Sequence, residues 1–196
     1  MNDTASRNKW NNIYLQAQTG VVDAVWVITE YAHLLPHDGK ALDLACGLAA
    51  NGIFLAKRGL QVDAWDISDV VVDKLNAYAK ENNLPLNASV HDFTSPELGE
   101  NQYDVIVVAH YLERALASKI CEALKPGGLL CYQTFVRDVT PDYSGPGNPD
   151  FRLAPNEMLQ LFSGLRVLAY REEGTVGEIT LGLRNVAAFI GQKPQR

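Results

Sequence analysis

The chain has 196 residues, of which 47% are hydrophobic and 20% charged, and a formal net charge of −6. It is long enough to bury a core without covalent staples, and its acidic balance disfavours a broad phosphate-binding face, so no nucleic-acid partner is expected. No apolar run could span a bilayer, no signal peptide opens the chain, and Cys46, Cys121 and Cys131 lack metal-ligand spacing; the expectation is a cytoplasmic protein with no membrane partner and no metal.

Strand-like and helix-like segments alternate along the chain, which predicts a mostly parallel sheet. Asn8 to Gly20 is polar and carries Trp10 and Tyr14, whereas Val21 to Leu35 is apolar at helical spacing until Pro36 and Gly39 stop it. Ala41 to Ala45 reads as a short buried strand, Asn51 to Arg58 as the helix after it, and Gln61 to Asp66 as a second strand. Ser68 caps the next helix, whose inner face carries Val71, Val72, Leu75 and Tyr78. Asn87 to His91 is a third strand, and the β-branched run Tyr103 to Ala109 belongs at the sheet centre, buried on both faces. A helix over Leu116 to Leu124 is closed by Lys125-Pro126-Gly127-Gly128, which leads into a strand over Leu129 to Phe135. The Pro-, Gly-, Asp- and Asn-rich stretch from Arg137 to Phe151 is too long for an idle connection. A short helix from Pro155 to Phe162 follows, and Leu165 to Tyr170 pairs antiparallel with Val186 to Gly191 at one edge.

The run from Lys40 to Ala56 carries the chemistry. It combines a buried strand, a turn of small residues and a helix, and the next strand ends on the carboxylate of Asp66. That is how α/β proteins hold an adenosine-containing ligand. Gly47 permits a tight turn, Ala49 and Gly52 permit close approach, the helix N-terminus offers free N–H groups, and Asp66 can accept both ribose hydroxyls. On its own the turn is an imperfect G-x-G-x-x-G with Ala49 at the second glycine, and a plain strand-to-helix turn fits it equally well.

Four motifs in order resemble a class I S-adenosylmethionine-dependent methyltransferase. They are Leu42-Asp43-Leu44-Ala45-Cys46-Gly47, the strand-end acid Asp66, His91-Asp92-Phe93, and Leu124-Lys125-Pro126-Gly127-Gly128 entering a strand. Asn51, Tyr111-Leu112-Glu113-Arg114, Gln133-Thr134-Phe135 and Gly145 to Phe151 resemble the small bacterial enzymes related to tellurite-resistance and thiopurine methyltransferases, although members usually have Gly at position 49 and often Arg at 50, where this chain has Ala49 and Ala50. The resemblance implies a three-layer Rossmann-like α/β fold, doubly wound, with a seven-stranded sheet mostly parallel and its last strand antiparallel. One domain would cover 1–196: an N-terminal lid and helix over 1–36, a cofactor-binding half over 37–135 and an acceptor-side half over 136–196.

The same resemblance implies S-adenosylmethionine as cofactor, S-adenosylhomocysteine as product, and a cofactor site of Asp43, Ala45, Cys46, Gly47, Ala49, Asn51, Asp66, Ile67, Asp92, Phe93 and Ala109. The methionine portion would lie over Asp43, Ala45 and Gly47, the ribose on Asp66, and the adenine near Ile67, Asp92 and Phe93. The residues agree, since Asp92 can accept adenine amino hydrogens and Phe93 offers an apolar edge; taken singly, Asp92 reads rather as a turn residue before Thr94-Ser95-Pro96, and Phe93 as plain core. On the acceptor side, parallel sheets bind ligands at the carboxyl ends of their strands, which nominates His110, Tyr111, Arg114 and Arg137, with Tyr14 as a lid. A small-molecule substrate is expected, a soft or anionic nucleophile being favoured, on a monomer or homodimer; such an acceptor needs no general base, whereas a hydroxyl would want His110 or Tyr111 beside it. A non-catalytic adenosylmethionine-binding or partner-activating subunit stays open because of Ala49 and Ala50, and an NAD-binding oxidoreductase is less favoured because the chain has no room for a second substrate module.

Overall fold

A computed structural model describes residues 3–93 and 97–195; the expected Thr94-Ser95-Pro96 turn lies outside them. The elements, in chain order, are α1 (Asp3–Leu15), α2 (Trp26–Glu30), β1 (Lys40–Leu44), α3 (Ala50–Lys57), β2 (Gln61–Asp66), α4 (Asp69–Glu81), β3 (Leu86–Val90), β4 (Tyr103–Ala109), α5 (Ala117–Ala123), β5 (Leu124–Phe135), α6 (Glu157–Leu161), β6 (Arg166–Arg171) and β7 (Val186–Gln192). The 7-stranded sheet has the order β3-β2-β1-β4-β5-β7-β6. β7 runs antiparallel between β5 and β6, and the other neighbouring pairs are parallel.

β4 stands in the middle of that order, as its β-branched run predicts, and its side chains alternate between two cores. Val105 and Val107 point into the layer that holds α2, α3 and α4, and Ile106 and Val108 into the layer with α5 and α6. The order reverses between β1 and β4, so the turns that leave their carboxyl ends diverge and open a crevice there.

Three sequence expectations change. Val21 to Leu35 is not one helix: only Trp26–Glu30 is α-helical, followed by a 3-10 turn over Ala32–Leu34. Val25 is held extended at φ −63° and ψ 153°, its N–H donating to Asn51 Oδ1 at 3.0 Å, which leaves Val21 and Val22 exposed at the surface instead of on a buried face. The polar N-terminal segment is helical as α1, although none of residues 4–15 is fully buried. β5 begins at Leu124 and runs through the Pro-Gly-Gly segment, its register against β4 shifting between Tyr103 and Val105. Gly128 is required at that shift, because a Cβ there would lie 2.9 Å from the Lys125 carbonyl oxygen and 3.0 Å from that of Tyr103.

The edge strand β3 is closed from above by a side chain. Asn76 on α4 accepts from the Ala88 N–H at 2.9 Å and donates to the Ala88 carbonyl at 3.0 Å, imitating the missing neighbouring strand. Replacing Asn76 by Ala leaves that peptide group without its partner, and we expect about 1–3 kcal/mol of lost stability in urea unfolding, with β3 the first strand to exchange its amides. An unchanged midpoint would show that water replaces the amide without loss.

Candidate functional site

The crevice at the ends of β1 and β4 is built from a strained turn. Ala45, Gly47 and Ala49 have φ of 55°, 52° and 51°, and His110 after β4 has φ 54°. Left-handed backbone at a non-glycine residue costs of order 1–2 kcal/mol, so the surrounding contacts must hold Ala45, Ala49 and His110 in place. Ala49 is fully buried at the start of α3, with its N–H donating to the Cys46 carbonyl at 2.8 Å, so a side chain larger than methyl has no room.

Two buried carboxylates face this turn. Asp66 accepts from Gly47 N–H through Oδ2 at 2.8 Å and from Ser68 N–H through Oδ1 at 2.9 Å. The Ile67 N–H adds to this support, and the carboxylate still has room for a further donor. Burial raises the pKa of Asp66, and the backbone donors oppose the shift. Asp43, on β1, accepts from Gly52 N–H through Oδ2 at 2.8 Å, while its Oδ1 is buried with no hydrogen-bond partner among the described residues. Burial pushes its pKa up to about 8; the Gly52 N–H opposes and the nearby Asp66 charge adds to the rise. Gly52 is needed for this packing, since a Cβ would come within 3.0 Å of Asp43 Oδ2. Cys46 is a buried thiol whose pKa burial raises well above the ordinary range, which keeps it protonated.

Beyond Asp66, Ile67 and Asp92 are half-buried and Phe93 is buried. Phe93 lies against Tyr111 with ring centroids 5.6 Å apart, and His91 stacks on Trp65 at 3.7 Å. Asn51 spends its Oδ1 on the Val25 N–H, so it tethers the chain before α2.

At the end of β4, Ala109 is half-buried and the His110 ring stacks on Phe135 at 5.1 Å, with Tyr143 edge-on to Phe135 at 5.9 Å. Desolvation lowers the His110 pKa, which favours the neutral imidazole. Burial raises the pKa of Tyr111, which keeps its hydroxyl protonated. Arg114 is committed to the protein: Nε and Nη2 fork onto Glu157 at 2.5 and 3.0 Å, and Nη1 and Nη2 donate to the carbonyls of Asp150 and Arg152 at 2.6 and 3.2 Å. It clamps the end of the long loop. Arg137 is exposed at the rim, with Nε on the Pro149 carbonyl at 3.3 Å. Tyr14, at the end of α1, places its hydroxyl over Gly47, where an added Cβ would lie 2.9 Å from the oxygen.

Sequence reasoning missed a second loop on this edge. Residues 172–185 join β6 to β7 and are tied to the 137–151 loop by Thr175 on Asp138 and by Asn185 on Thr140. Arg184 organises them by donating to the carbonyls of Glu173, Gly174, Val176, Glu178 and Leu181. Its length was the available signal, the same one that marked 137–151.

A model of the family described as "Tellurite resistance protein TehB" matches residues 7–183. The chain belongs to the TehB family. Over 167 residues it is 29% identical to the probable S-adenosyl-L-methionine-dependent methyltransferase TehB of Haemophilus influenzae, covering 81% of this chain and 54% of that protein. It is 31% identical over 141 residues to hemagglutinin 1 of Eikenella corrodens, covering 68% and 46%. The crystal structure of TehB from Haemophilus influenzae has the same fold, with a TM-score of 0.72 at 22% identity, over 95% of this chain and 66% of that one. An S-adenosylmethionine-dependent methyltransferase from Mesorhizobium loti shares it too, with a TM-score of 0.66 at 16% identity, over 84% and 96%. The chain thus spans about half the length of the curated TehB and hemagglutinin relatives it matches. Among its described residues no helix is long and apolar enough to cross a membrane, and no cluster could hold a metal ion.

In this TehB-family chain the raised pKa of Asp43 has a measurable consequence. The folded carboxyl holds its proton up to about pH 8, whereas the unfolded one loses it near pH 4. Its contribution to stability is therefore full below about pH 4 and is lost as pH rises toward 8. Urea unfolding between pH 4 and 8 should show a steeper decline for the unmodified chain than for Asp43→Asn; parallel curves would mean that Asp43 is ionised in the folded protein.

Proposed function

We propose that this protein transfers a methyl group from S-adenosylmethionine to a small-molecule acceptor, a soft or anionic nucleophile. The observation that carries the reading is the pairing, in one crevice, of the unpartnered buried Oδ1 of Asp43 with the doubly supported carboxylate of Asp66. Adenosylmethionine needs both groups: a cationic amino group that a buried acid can hold, and vicinal ribose hydroxyls that a second acid can accept. The curated Haemophilus relative and the Mesorhizobium structure, both described as dependent on that cofactor, support the same reading.

When bound, the cofactor supplies an electrophilic methyl on a sulfonium. The chain's own residues bind and align. Asp43 holds the amino group beside the turn, Ala45 and Gly47 bring backbone close to the methionine portion, and Asp66 takes the ribose. Phe93 covers the adenine, with Asp92 and Ile67 beside it. Tyr14 shuts the turn from outside, removing water from the reacting end. The acceptor enters against His110, Phe135 and Tyr143, where a flat or polarizable group finds aromatic faces and a neutral imidazole. Arg137 at the rim is the cation for an anionic acceptor, since Arg114 is already spent on Glu157. A thiolate or a reduced chalcogen anion has no proton to lose and attacks with its own lone pair, so no general base is assigned.

Calorimetry with adenosylmethionine and adenosylhomocysteine, followed by a methyl-transfer assay over thiols, chalcogen oxyanions and phenols, tests the reading. Asp66→Ala removes hydrogen bonds to an ionised acceptor, about 1.5–3 kcal/mol each, so binding should weaken by roughly one to a few decades. Equal affinity in a folded Asp66→Ala variant would overturn the ribose assignment.

Charge also links binding to pH. A cationic amino group beside Asp43 favours its ionised form, so at pH 7 binding should expel a proton, and affinity should rise toward pH 8. Calorimetric enthalpies in buffers of different ionisation heat measure that proton directly, and its absence would place the amino group elsewhere.

A further inference from the structure

The helix that carries Tyr14 meets the core only through that partly buried ring, and no continuous hydrophobic face holds it. None of residues 4–15 is fully buried, and Trp10, Ile13 and Leu15 are exposed. What holds α1 is polar and is supplied by α4. Lys74 Nζ donates to the carbonyls of Tyr14, Leu15 and Ala17 at 2.6, 2.9 and 2.9 Å. Tyr14 and Leu15 end α1, where carbonyls run short of helical donors, Tyr14 accepting only the Ala17 N–H of the following turn at 3.2 Å, and α1 has no basic residue of its own in its last turn. Further along, Asn11 donates to Asp69 Oδ1 at 2.6 Å and accepts from Ser68 Oγ at 2.6 Å. Ser68 is the residue whose N–H supports Asp66, so one residue serves both the carboxylate and the helix above it.

We propose that Lys74 is a positioning residue for the cofactor: by gathering the carbonyls at the end of α1 it holds Tyr14 over Gly47, and release of this latch opens the crevice for entry and departure. The proposal rests on the reading of the crevice as an adenosylmethionine site. A polar fastening suits a part that must open. Its bonds exchange with water at small net cost, whereas a buried apolar face would have to be exposed to solvent each time. Tyr14 then acts as the moving surface, Trp10 stacking on it at 5.6 Å and stiffening the last turns of α1.

The test compares the unmodified chain with Lys74→Met, which keeps the aliphatic stem without the charge, and Lys74→Arg, which restores donors. The probe is adenosylhomocysteine, with its dissociation rate followed by stopped flow and amide exchange followed over residues 5–17 without ligand. Lys74→Met should release the ligand about tenfold faster and exchange α1 amides faster, while Lys74→Arg recovers most of both. Tyr14→Ala should add little in the Lys74→Met background, because both changes act through the same ring. A lower melting temperature with unchanged ligand release would make Lys74 a structural residue only and overturn the proposal, as would unchanged exchange. Failure of the unmodified chain to bind the probe would overturn the cofactor reading instead, and the ligand-free exchange comparison would still decide whether Lys74 fastens α1.

Discussion

The carboxylate of Asp66 joins two turns that would otherwise diverge. One oxygen takes the N–H of Gly47 from the turn after β1, and the other takes the N–H of Ser68, which caps α4 through its own hydroxyl at Val71 N–H. Burying a carboxylate is costly, and two backbone donors offset that cost while fixing its orientation. The left-handed turn over Ala45, Gly47 and Ala49 leans on this arrangement, as does the fastening of α1 through Ser68 and Asn11. Asp66 is thus a structural keystone before any ligand arrives, and the geometry that would receive a ribose is already in place.

Legibility in the sequence followed the range of the interaction. The strand of β4 was readable because Val105 to Val108 form a continuous β-branched run, which only a centre strand buries on both faces. Asp66 and Gly47 were readable because turn chemistry and strand-end acids are local. Val21 to Leu35 misled because its apolar spacing is helical while Asn51, far away in sequence, pins Val25 in an extended conformation. Arg114 reads as a free cation until the fold brings Glu157 to it across 43 positions. The polar α1 had no periodic apolar signal to find, since the residue that holds it down, Lys74, lies on another helix.

The two halves of the crevice differ in what holds them. The half at the end of β1 rests on backbone amides and buried acids, with Asp43 and Asp66 each tied to a main-chain N–H. The half at the end of β4 rests on side chains in loops: His110 on Phe135, Tyr143 on Phe135 with Arg152 over its ring, and Arg114 on Glu157. Backbone donors survive most substitutions, whereas stacked rings and ion pairs change with a single residue.

The antiparallel strand β7, inserted between β5 and β6, sets where this variability falls. Because Val186 pairs with Phe135, the connection from β6 reaches the same edge as the loop that leaves β5, and the two meet through Thr140 and Asn185. A parallel strand in that place would have delivered its connection to the opposite edge of the sheet. Reversing one strand therefore gives two adjustable segments a shared frontage on the crevice. A lineage can remodel that frontage by changing the last third of the gene, without disturbing the turn and the buried acids on the other side of the crevice.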